Sequence, residues 1–219
     1  MMTRLTTLLL AGLLAACNGG NRWVAESEGG TATVAERGDT LEIVAPGGLT
    51  LWFAEPLAGD YRISYDATVV MRGGSHDRLA DLNCFWAASD PEHPGDFFAR
   101  SAWRGGMFAA YNSLDLFYVG YGGNDNTTTR FRKYHGRRFG APADEVKPLL
   151  GEYTDAAHLL RPNRPLHVEI TVAGGKTTYA ADGEVLFSRE LAPGEGDGYF
   201  GLRLLANHTL IANFTIEKQ

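Results

Sequence analysis

The stretch LHVEITVAGGKTTYAADGEVLFS, residues 166–188, contains three short segments separated by two turns. Apolar and polar residues alternate within 166–172, 177–181 and 184–188, and glycine-containing turns separate these segments. Period-two alternation with β-branched and aromatic residues is typical of half-buried strands, and Gly-Gly and Asp-Gly pairs are typical of tight hairpin turns. The stretch therefore predicts three consecutive antiparallel strands.

The same pattern extends through the rest of the chain, and no long amphipathic helix is indicated. A short helix or turn is expected near 156–160. Further strands are predicted at 41–44 and 49–53 as a hairpin, 60–70, 82–87, 116–121, 127–134, 198–204 and 209–217. So many short strands with glycine turns predict an all-β fold of two packed antiparallel sheets, a β-sandwich of the jelly-roll type.

The N-terminus predicts export and attachment to a lipid. A basic residue is followed by an apolar stretch at 8–14 that is too short to span a bilayer, and LAAC at 14–17 resembles the lipobox of bacterial lipoproteins. That resemblance implies a signal peptide at 1–16, acylation of Cys17, a tether at 17–22 and one domain at 23–219. An ordinary cleaved signal with an incidental cysteine is the alternative.

The residue that follows the cysteine bears on localisation. Asn18 at the second mature position resembles an outer-membrane sorting signal. It implies a cell-envelope protein, at the outer membrane and facing the periplasm or the surface, whose only contact with the membrane is its lipid anchor.

Composition excludes some classes of partner and cofactor. A formal net charge of −6 gives no electrostatic basis for binding nucleic acid. Cys84 lies in an apolar run and lacks a disulfide partner if Cys17 is acylated, so we expect it to be a buried apolar residue. The spacing of the six histidines is not that of a metal site.

Four segments resemble the closing strands of concanavalin A-like lectin and glucanase jelly rolls: NRPLHVEITV (163–172), YAADGE (179–184), GYFGLR (198–203) and IANF (211–214). A narrower resemblance lies in YVGYGGNDNTTTRFRKY (118–134), with NCFW (83–86) and HLLRPN (158–163). These residues are similar to the YesU-like family of uncharacterised bacterial jelly-roll proteins. That family is associated with loci that degrade rhamnogalacturonan and other plant polysaccharides. The resemblance implies an oligosaccharide or polysaccharide partner. Structural calcium is frequent in the superfamily, but this sequence has no motif for it, so we expect no cofactor.

Residues suited to binding an acidic sugar are concentrated in the central third. Alternation along 128–134 places Arg130, Arg132 and Tyr134 on one face and Phe131 on the other, toward the core. Because a guanidinium group can hold a carboxylate through two hydrogen bonds, this face suits a uronic acid. The alternative is an ordinary solvated face with paired arginines and core aromatics. The candidate substrate-binding residues are Asn83, Trp86, Tyr111, Asn124, Asn126, Arg130 and Arg132.

Two catalytic mechanisms can be compared with these residues. The closely spaced carboxylates of jelly-roll glycosidases have no counterpart in this sequence. Elimination needs a group that neutralises the uronate, a base and an acid. The candidate catalytic residues are His76 or His208 as base and Tyr134 or Tyr121 as acid.

The sequence thus predicts an envelope lipoprotein that acts on acidic plant or algal oligosaccharides by lyase-type elimination. The alternatives are a non-catalytic carbohydrate-binding lipoprotein and a glycoside hydrolase that uses the same groove. An enzyme is favoured over a binding protein because of the family's association with degradation loci. A structural envelope lipoprotein without glycan affinity is a third class.

Overall fold

The computed structural model describes residues 22–218. The predicted signal peptide, Cys17 and most of the predicted tether lie outside the described residues. The strands are β1 (Trp23–Ser27), β2 (Thr33–Arg37), β3 (Thr40–Phe53), β4 (Tyr61–Val69), β5 (Leu82–Ser89), β6 (Asp115–Gly122), β7 (Thr128–Tyr134), β8 (Leu149–Tyr153), β9 (Leu166–Ala173), β10 (Lys176–Ala181), β11 (Glu184–Glu190) and β12 (Tyr199–Lys218).

Helical segments are short. They are α1 (Ser101–Arg104), α2 (Gly123–Asn126) and α3 (Ala143–Val146), with single 3-10 turns at Glu28–Gly30, Phe108–Ser113, Gly136–Arg138 and Ala156–His158. Among the described residues, no helix is long and apolar enough to cross a membrane.

The strands form two antiparallel sheets joined by two long strands that belong to both. Sheet one has the order β1-β3-β12-β5-β6-β7-β8, and sheet two has the order β2-β3-β12-β4-β9-β10-β11. β12 passes from one sheet to the other at a bulge after Leu205, where Ala206 has a φ of 48°. The predicted two-sheet antiparallel sandwich is confirmed.

Two predicted strand breaks are corrected. The segments 41–44 and 49–53 form one continuous strand rather than a hairpin, and the segments 198–204 and 209–217 also form one strand. In both places the chain bends between sheets without reversing, so β3 and β12 stay paired through the bend. The chain bends at the Pro46-Gly47-Gly48 segment and at Ala206 but does not make a reverse turn at either place.

The main core lies between the two sheets and is rich in aromatic rings. Trp86 stacks against Phe117 and Phe131, with ring centroids 5.6 and 5.8 Å apart. Cys84 is buried and free, as expected. Phe131 points into this core, so the predicted orientation of β7 is confirmed.

Candidate functional site

The outer face of sheet one is the most unusual surface of the sandwich because a long connection covers half of it. Residues 90–114, which we call the cover segment, link β5 to β6 and pack a second apolar cluster against the sheet. Phe97 of the cover segment meets Trp52 of β3 edge to face at 4.8 Å, and Tyr111 packs on Phe85 of β5 at 5.3 Å. The remaining part of the face, toward β7 and β8, is less covered, and Arg130 and Arg132 are partly exposed there.

A buried ion pair fastens the cover segment to the sheet. Arg104 of α1 contacts Glu26 of β1 with an Nη2–Oε1 distance of 2.6 Å, and both side chains are essentially inaccessible. Arg104 also donates to the carbonyl oxygen of Phe97, at 3.1 Å. A pair of buried charges is costly to separate, so the ion pair fixes the cover segment against sheet one.

One residue from each strand of sheet one forms a straight row across this face. We call it the polar row. The antiparallel registers align Glu26, Thr50, Arg203, Asn83, Gly120, Arg130 and Glu152. Because side chains of a strand alternate between faces, all of these positions point away from the main core.

Arg203 lies at the centre of the polar row without a carboxylate partner in the described part of the chain. It is 2% exposed, donates to the carbonyl oxygen of Gly106 at 2.6 Å, and lies over the rings of Phe108 and Tyr111. Burial lowers the pKa of Arg203 from its ordinary value. The buried cation is thus held by two aromatic faces, by the Gly106 carbonyl and by the Thr50 hydroxyl, whose Oγ1 lies 3.5 Å from Nη1.

Asn83 and Tyr118 lie next to Arg203. Asn83 is 4% exposed; its amide nitrogen donates to Asp81 at 3.4 Å, and its Oδ1 has no hydrogen-bond partner among the described residues. The ring of Tyr118 lies along its own strand over Gly120, where a Cβ atom would be 2.3 Å from the tyrosine hydroxyl. Gly120 therefore brings the Tyr118 hydroxyl into the polar row.

A strained corner closes the row at the end where β5 begins. Asp81 has a φ of 59°, and its N–H donates to the carbonyl of Gly122. Arg78 contacts Asp81 at 2.6 Å, Asp125 at 2.5 Å and the carbonyl of Leu205 at 3.1 Å. Left-handed backbone at a non-glycine residue costs about 1 kcal/mol or more and is kept where the surroundings enforce it, often at a functional site.

The rim of the face toward β7 and β8 is cationic and apolar. Arg130 pairs with Glu152, and Arg132 donates to the carbonyl of Lys147 at 2.7 Å. The Lys147 ammonium lies 5.3 Å from the ring centroid of Phe108, and its pKa is lowered by burial and by Arg132. Beyond it lie three exposed apolar side chains, which are Trp103, Met107 and Phe139.

The structure brings three predicted binding residues together and places two others at the margin. Asn83, Arg130 and Arg132 share the outer face of sheet one. Asn124 is exposed in the turn between β6 and β7, and both amide atoms of Asn126 bond to the backbone of Leu160. Asn126 therefore supports the loop, a correction to its expected contact with a sugar.

Four aromatic candidates are buried, which corrects their expected placement in a groove. Trp86 and Tyr121 belong to the main core, and the Trp86 Nε1–H donates to Thr177 at 2.9 Å. Tyr111 and Tyr134 are on the outer side of sheet one but are fully covered. Burial raises the pKa of Tyr121 to about 12 and also raises the pKa of Tyr134 above its ordinary value.

The two candidate histidine bases are not brought beside the arginines. His208 alternates onto the outer face of sheet two, where its Nε2 lies 3.1 Å from Glu42. His76 is in the loop that precedes β5, two residues before Arg78. His208 and the candidate acid Tyr121 therefore lie off the face that carries Arg130 and Arg132.

Sequence reasoning did not select Asp81, Arg78 or Arg203 as site residues. Arg203 carried a usable signal, because a charged residue lay within the otherwise apolar run GYFGLRLL at 198–205. The sequence around Asp81 and Arg78 gave no such signal. Arg78 contacts Leu205 and Asp125, which are distant in sequence, so the corner that it forms could not be predicted locally.

Calcium was also considered from the sequence. No group of three or more His, Cys, Asp or Glu side chains able to hold a metal ion occurs within residues 22–218. The described residues thus offer no carboxylate cluster to fit such an ion.

Comparison with known families identifies the family of this chain. Residues 43–214 match the family described as Domain of unknown function (DUF6250), which covers most of the sandwich. The chain is a DUF6250 protein. No curated protein matches it.

Solved structures similar to the DUF6250 protein share its fold at low identity. A Bacillus subtilis protein of unknown function with a galectin-like fold matches with a TM-score of 0.68 and 15% identity, covering 90% of this chain and 89% of that one. The carbohydrate-binding module CBM66 of Bacillus subtilis matches with a TM-score of 0.57 and 14% identity, covering 90% and 96%. The VIP36 exoplasmic/lumenal domain bound to Ca²⁺ and Man3GlcNAc matches with a TM-score of 0.52 and 11% identity, covering 90% and 84%.

Proposed function

We propose that this DUF6250 protein binds carbohydrate on the outer face of sheet one. The observation that carries the proposal is the rim of the polar row, where the partly exposed Arg130 and Arg132 share a face with the buried Arg203 and Asn83. Sugar hydroxyls pair with planar amide and guanidinium groups, and sugar C–H surfaces pack on aromatic rings. Two of the similar folds, a carbohydrate-binding module and a mannose-oligosaccharide-bound domain, support this proposal.

The favoured ligand is an acidic oligosaccharide. Arg132 and Lys147 lie on the rim near Phe108 without a carboxylate within ion-pair distance among the described residues, and Arg130 shares its charge with Glu152. A uronate carboxylate would accept charge-assisted hydrogen bonds from this rim. We also propose that the protein is related to the YesU-like proteins and that its ligand therefore comes from a plant or algal polysaccharide.

Binding without catalysis is the function that the geometry supports best. The candidate base His208 is on sheet two, where it contacts Glu42 and Asp77, and the candidate acids Tyr121 and Tyr134 are buried. Elimination would require a base within hydrogen-bond reach of the acidic C–H.

The lipid anchor completes the proposed role. Acylation of Cys17 would leave a tether of five residues before β1, a reach of about 17 Å when fully extended. The sandwich would then be held close to the outer membrane, where it retains oligosaccharides. Acyl labelling of the native chain and of a Cys17→Ser variant tests this part separately.

The experiment that tests the function is glycan binding. The purified protein is applied to a panel containing polygalacturonate, alginate, glucuronoxylan and the neutral polymer galactan, with affinity measured by calorimetry. We expect binding to at least one uronate-containing polymer and weaker binding to galactan. The same samples are followed for reducing ends and for the ultraviolet absorbance of an unsaturated uronate. Turnover by either readout, or no binding across the panel, would contradict a purely binding function.

A further inference from the structure

We propose that the cleft between the edge strands β8 and β11 binds a small aromatic carboxylate. β8 is the last strand of sheet one and β11 is the last strand of sheet two, and a cavity of about 560 Å³ lies between them. We call this cavity the edge cleft; residues 150–153, residues 186–189 and Phe131 line it. Its volume is sufficient for one small molecule. This second site is separate from the proposed glycan site and does not depend on it.

The floor of the edge cleft is aromatic. Phe131 and Phe187 stack with ring centroids 5.3 Å apart and an interplanar angle of 24°. Gly151 allows this floor, because a Cβ atom there would lie 3.0 Å from two carbon atoms of the Phe187 ring. Leu150 and Leu186 add aliphatic surface to the lining. Aromatic rings pack favourably on one another in offset and edge-to-face arrangements, so this floor suits a flat ring.

One end of the edge cleft is closed by a side chain of β8. The Tyr153 hydroxyl donates to the carbonyl oxygen of Leu186 at 3.3 Å and so bridges β8 to the backbone of β11. The Tyr153 ring also lies 5.5 Å from the ring of Phe187, between centroids. A peptide that adds to a sheet pairs its backbone along the edge strand and would have to pass this bridge. The bridge therefore favours a small molecule over an extended peptide.

Beyond Leu186, the cleft reaches a cation. Arg189 lies three residues further along β11, about 10 Å away at 3.3 Å per residue, and its side chain is 34% exposed. Its Nη2 lies 3.6 Å from Glu195, outside hydrogen-bond distance, and its Nε has no hydrogen-bond partner within residues 22–218. Glu195 also lies 3.4 Å from the Lys133 ammonium, so two cations share that carboxylate. Arg189 can therefore donate charge-assisted hydrogen bonds to a ligand carboxylate.

The other polar side chains of the edge cleft argue against a sugar as its ligand. Glu152 is already paired with Arg130, and the Tyr153 hydroxyl is used in the bridge. Ser188 and Arg189 are then the side chains that remain for a ligand, whereas a sugar carries a hydroxyl group on most of its ring carbons. Hydroxyl groups placed against the apolar lining would lose their hydrogen bonds to water. An aromatic ring with one carboxylate places its only polar group at Arg189.

The experiment is a titration of the protein with three probes, followed by the NMR shifts of its backbone amides. The probes are 3-phenylpropanoate, its neutral amide 3-phenylpropanamide, and the sugar carboxylate galacturonate. We expect 3-phenylpropanoate to shift residues 150–153 and 186–189 saturably, with a Kd of about 1 mM or below. At the same residues, the amide and galacturonate should bind at least about tenfold more weakly.

Two outcomes would overturn this inference. One is the absence of a saturable shift at these residues with 3-phenylpropanoate, and the other is equal affinity there for 3-phenylpropanoate and either of the other probes. Both outcomes leave the proposed function intact, because the glycan panel tests a different face of the sandwich.

A variant then tests the role of the cation. Arg189→Gln removes the guanidinium, and Arg62→Gln is its matched control, because Arg62 is also partly exposed and contacts the carboxylates of Glu169 and Glu217. We expect Arg189→Gln to weaken binding of 3-phenylpropanoate at least about tenfold and to leave binding of the amide unchanged. Arg62→Gln should change neither. A folded Arg189→Gln variant that binds 3-phenylpropanoate as tightly as the native protein would contradict the proposed contact.

Discussion

The outer faces of the two sheets follow the same alternation but carry different chemistry. The outer face of sheet two presents exposed ion pairs, such as Arg62 with Glu217, and His167 with Asp66. On the outer face of sheet one, Arg203 and Asn83 are buried, and the amide oxygen of Asn83 is unpaired. A 25-residue connection, residues 90–114, covers the other half of this face. Solvated pairs maintain solubility at little cost, whereas buried unpaired polar groups reduce stability and are kept for another reason. The comparison therefore points to sheet one as the functional face.

The largest expected effect is on stability, through the ion pair that anchors the cover segment. Arg104→Met leaves Glu26 buried without its partner, and we expect the free energy of unfolding to fall by about 3–5 kcal/mol. Urea denaturation followed by tryptophan fluorescence measures the change. Arg62→Met on sheet two should leave the free energy of unfolding nearly unchanged, because Arg62 and its partners are solvated.

A double variant separates loss of the pair from loss of packing. Glu26→Leu combined with Arg104→Met removes both charges, and we expect it to recover most of the stability lost in the single variant. If Arg104→Met alone stays within about 1 kcal/mol of the native protein, the cover segment is not held by this pair.

The next prediction concerns Asn83, where one substitution should change glycan affinity without lowering stability. Asn83→Leu removes the unpaired Oδ1, so we expect equal or higher stability but glycan affinity weakened by about 5- to 100-fold, equivalent to roughly 1–3 kcal/mol. Calorimetric titration and urea denaturation measure the two quantities on one sample. His208→Gln, on the outer face of sheet two, should leave affinity unchanged. Loss of binding in His208→Gln, or unchanged binding in Asn83→Leu, would show that the outer face of sheet one is not the binding face.

A smaller effect concerns selectivity for charge. Arg132→Gln removes a rim guanidinium, and we expect affinity for uronate oligosaccharides to fall about tenfold while affinity for neutral ones is retained. In the native protein, the excess of affinity for uronate over neutral oligosaccharides should fall progressively as salt concentration rises. Arg62→Gln is the matched control on sheet two. Equal losses for acidic and neutral ligands in Arg132→Gln would mean that the rim recognises shape rather than charge.

Local patterning in the sequence was sufficient to predict the fold and the orientation of β7. Alternation over residues 166–188 predicted three strands, and alternation over 128–134 predicted a strand with Phe131 toward the core; the structure confirms both. The bends in β3 and β12 were misread as strand breaks. Glycine and proline at 46–48 favour turns locally, and only the pairing of β3 with β12 holds both strands continuous.

The site was less predictable because it depends on distant contacts. Period-two alternation correctly placed Arg130, Arg132 and Tyr134 on one face, but it contained no information about what covers Tyr134. That cover depends on Arg104 and Glu26, which are 78 residues apart. Which polar residues of a face stay open is therefore decided by tertiary packing.

The smallest effect concerns His158, which joins the two sheets at their shared edge and belongs to neither outer face. Its Nδ1 lies 2.8 Å from Asp155, and its Nε2 lies 3.6 Å from Glu184 of β11. The hydrogen bond to Asp155, partly opposed by burial, raises the pKa of His158 above its ordinary value. A raised folded-state pKa means that protonated His158 stabilises the fold. This stabilisation is fully present below the unfolded pKa of about 6.5 and is lost as the pH rises through the folded value. Urea denaturation across that window should show a loss of less than about 1 kcal/mol, absent in His158→Gln. Glycan affinity should not follow this change, because His158 contacts Thr129 and Tyr153, whose side chains alternate away from the polar row. An affinity that tracks the titration of His158 would show that the edge and the outer face of sheet one are coupled.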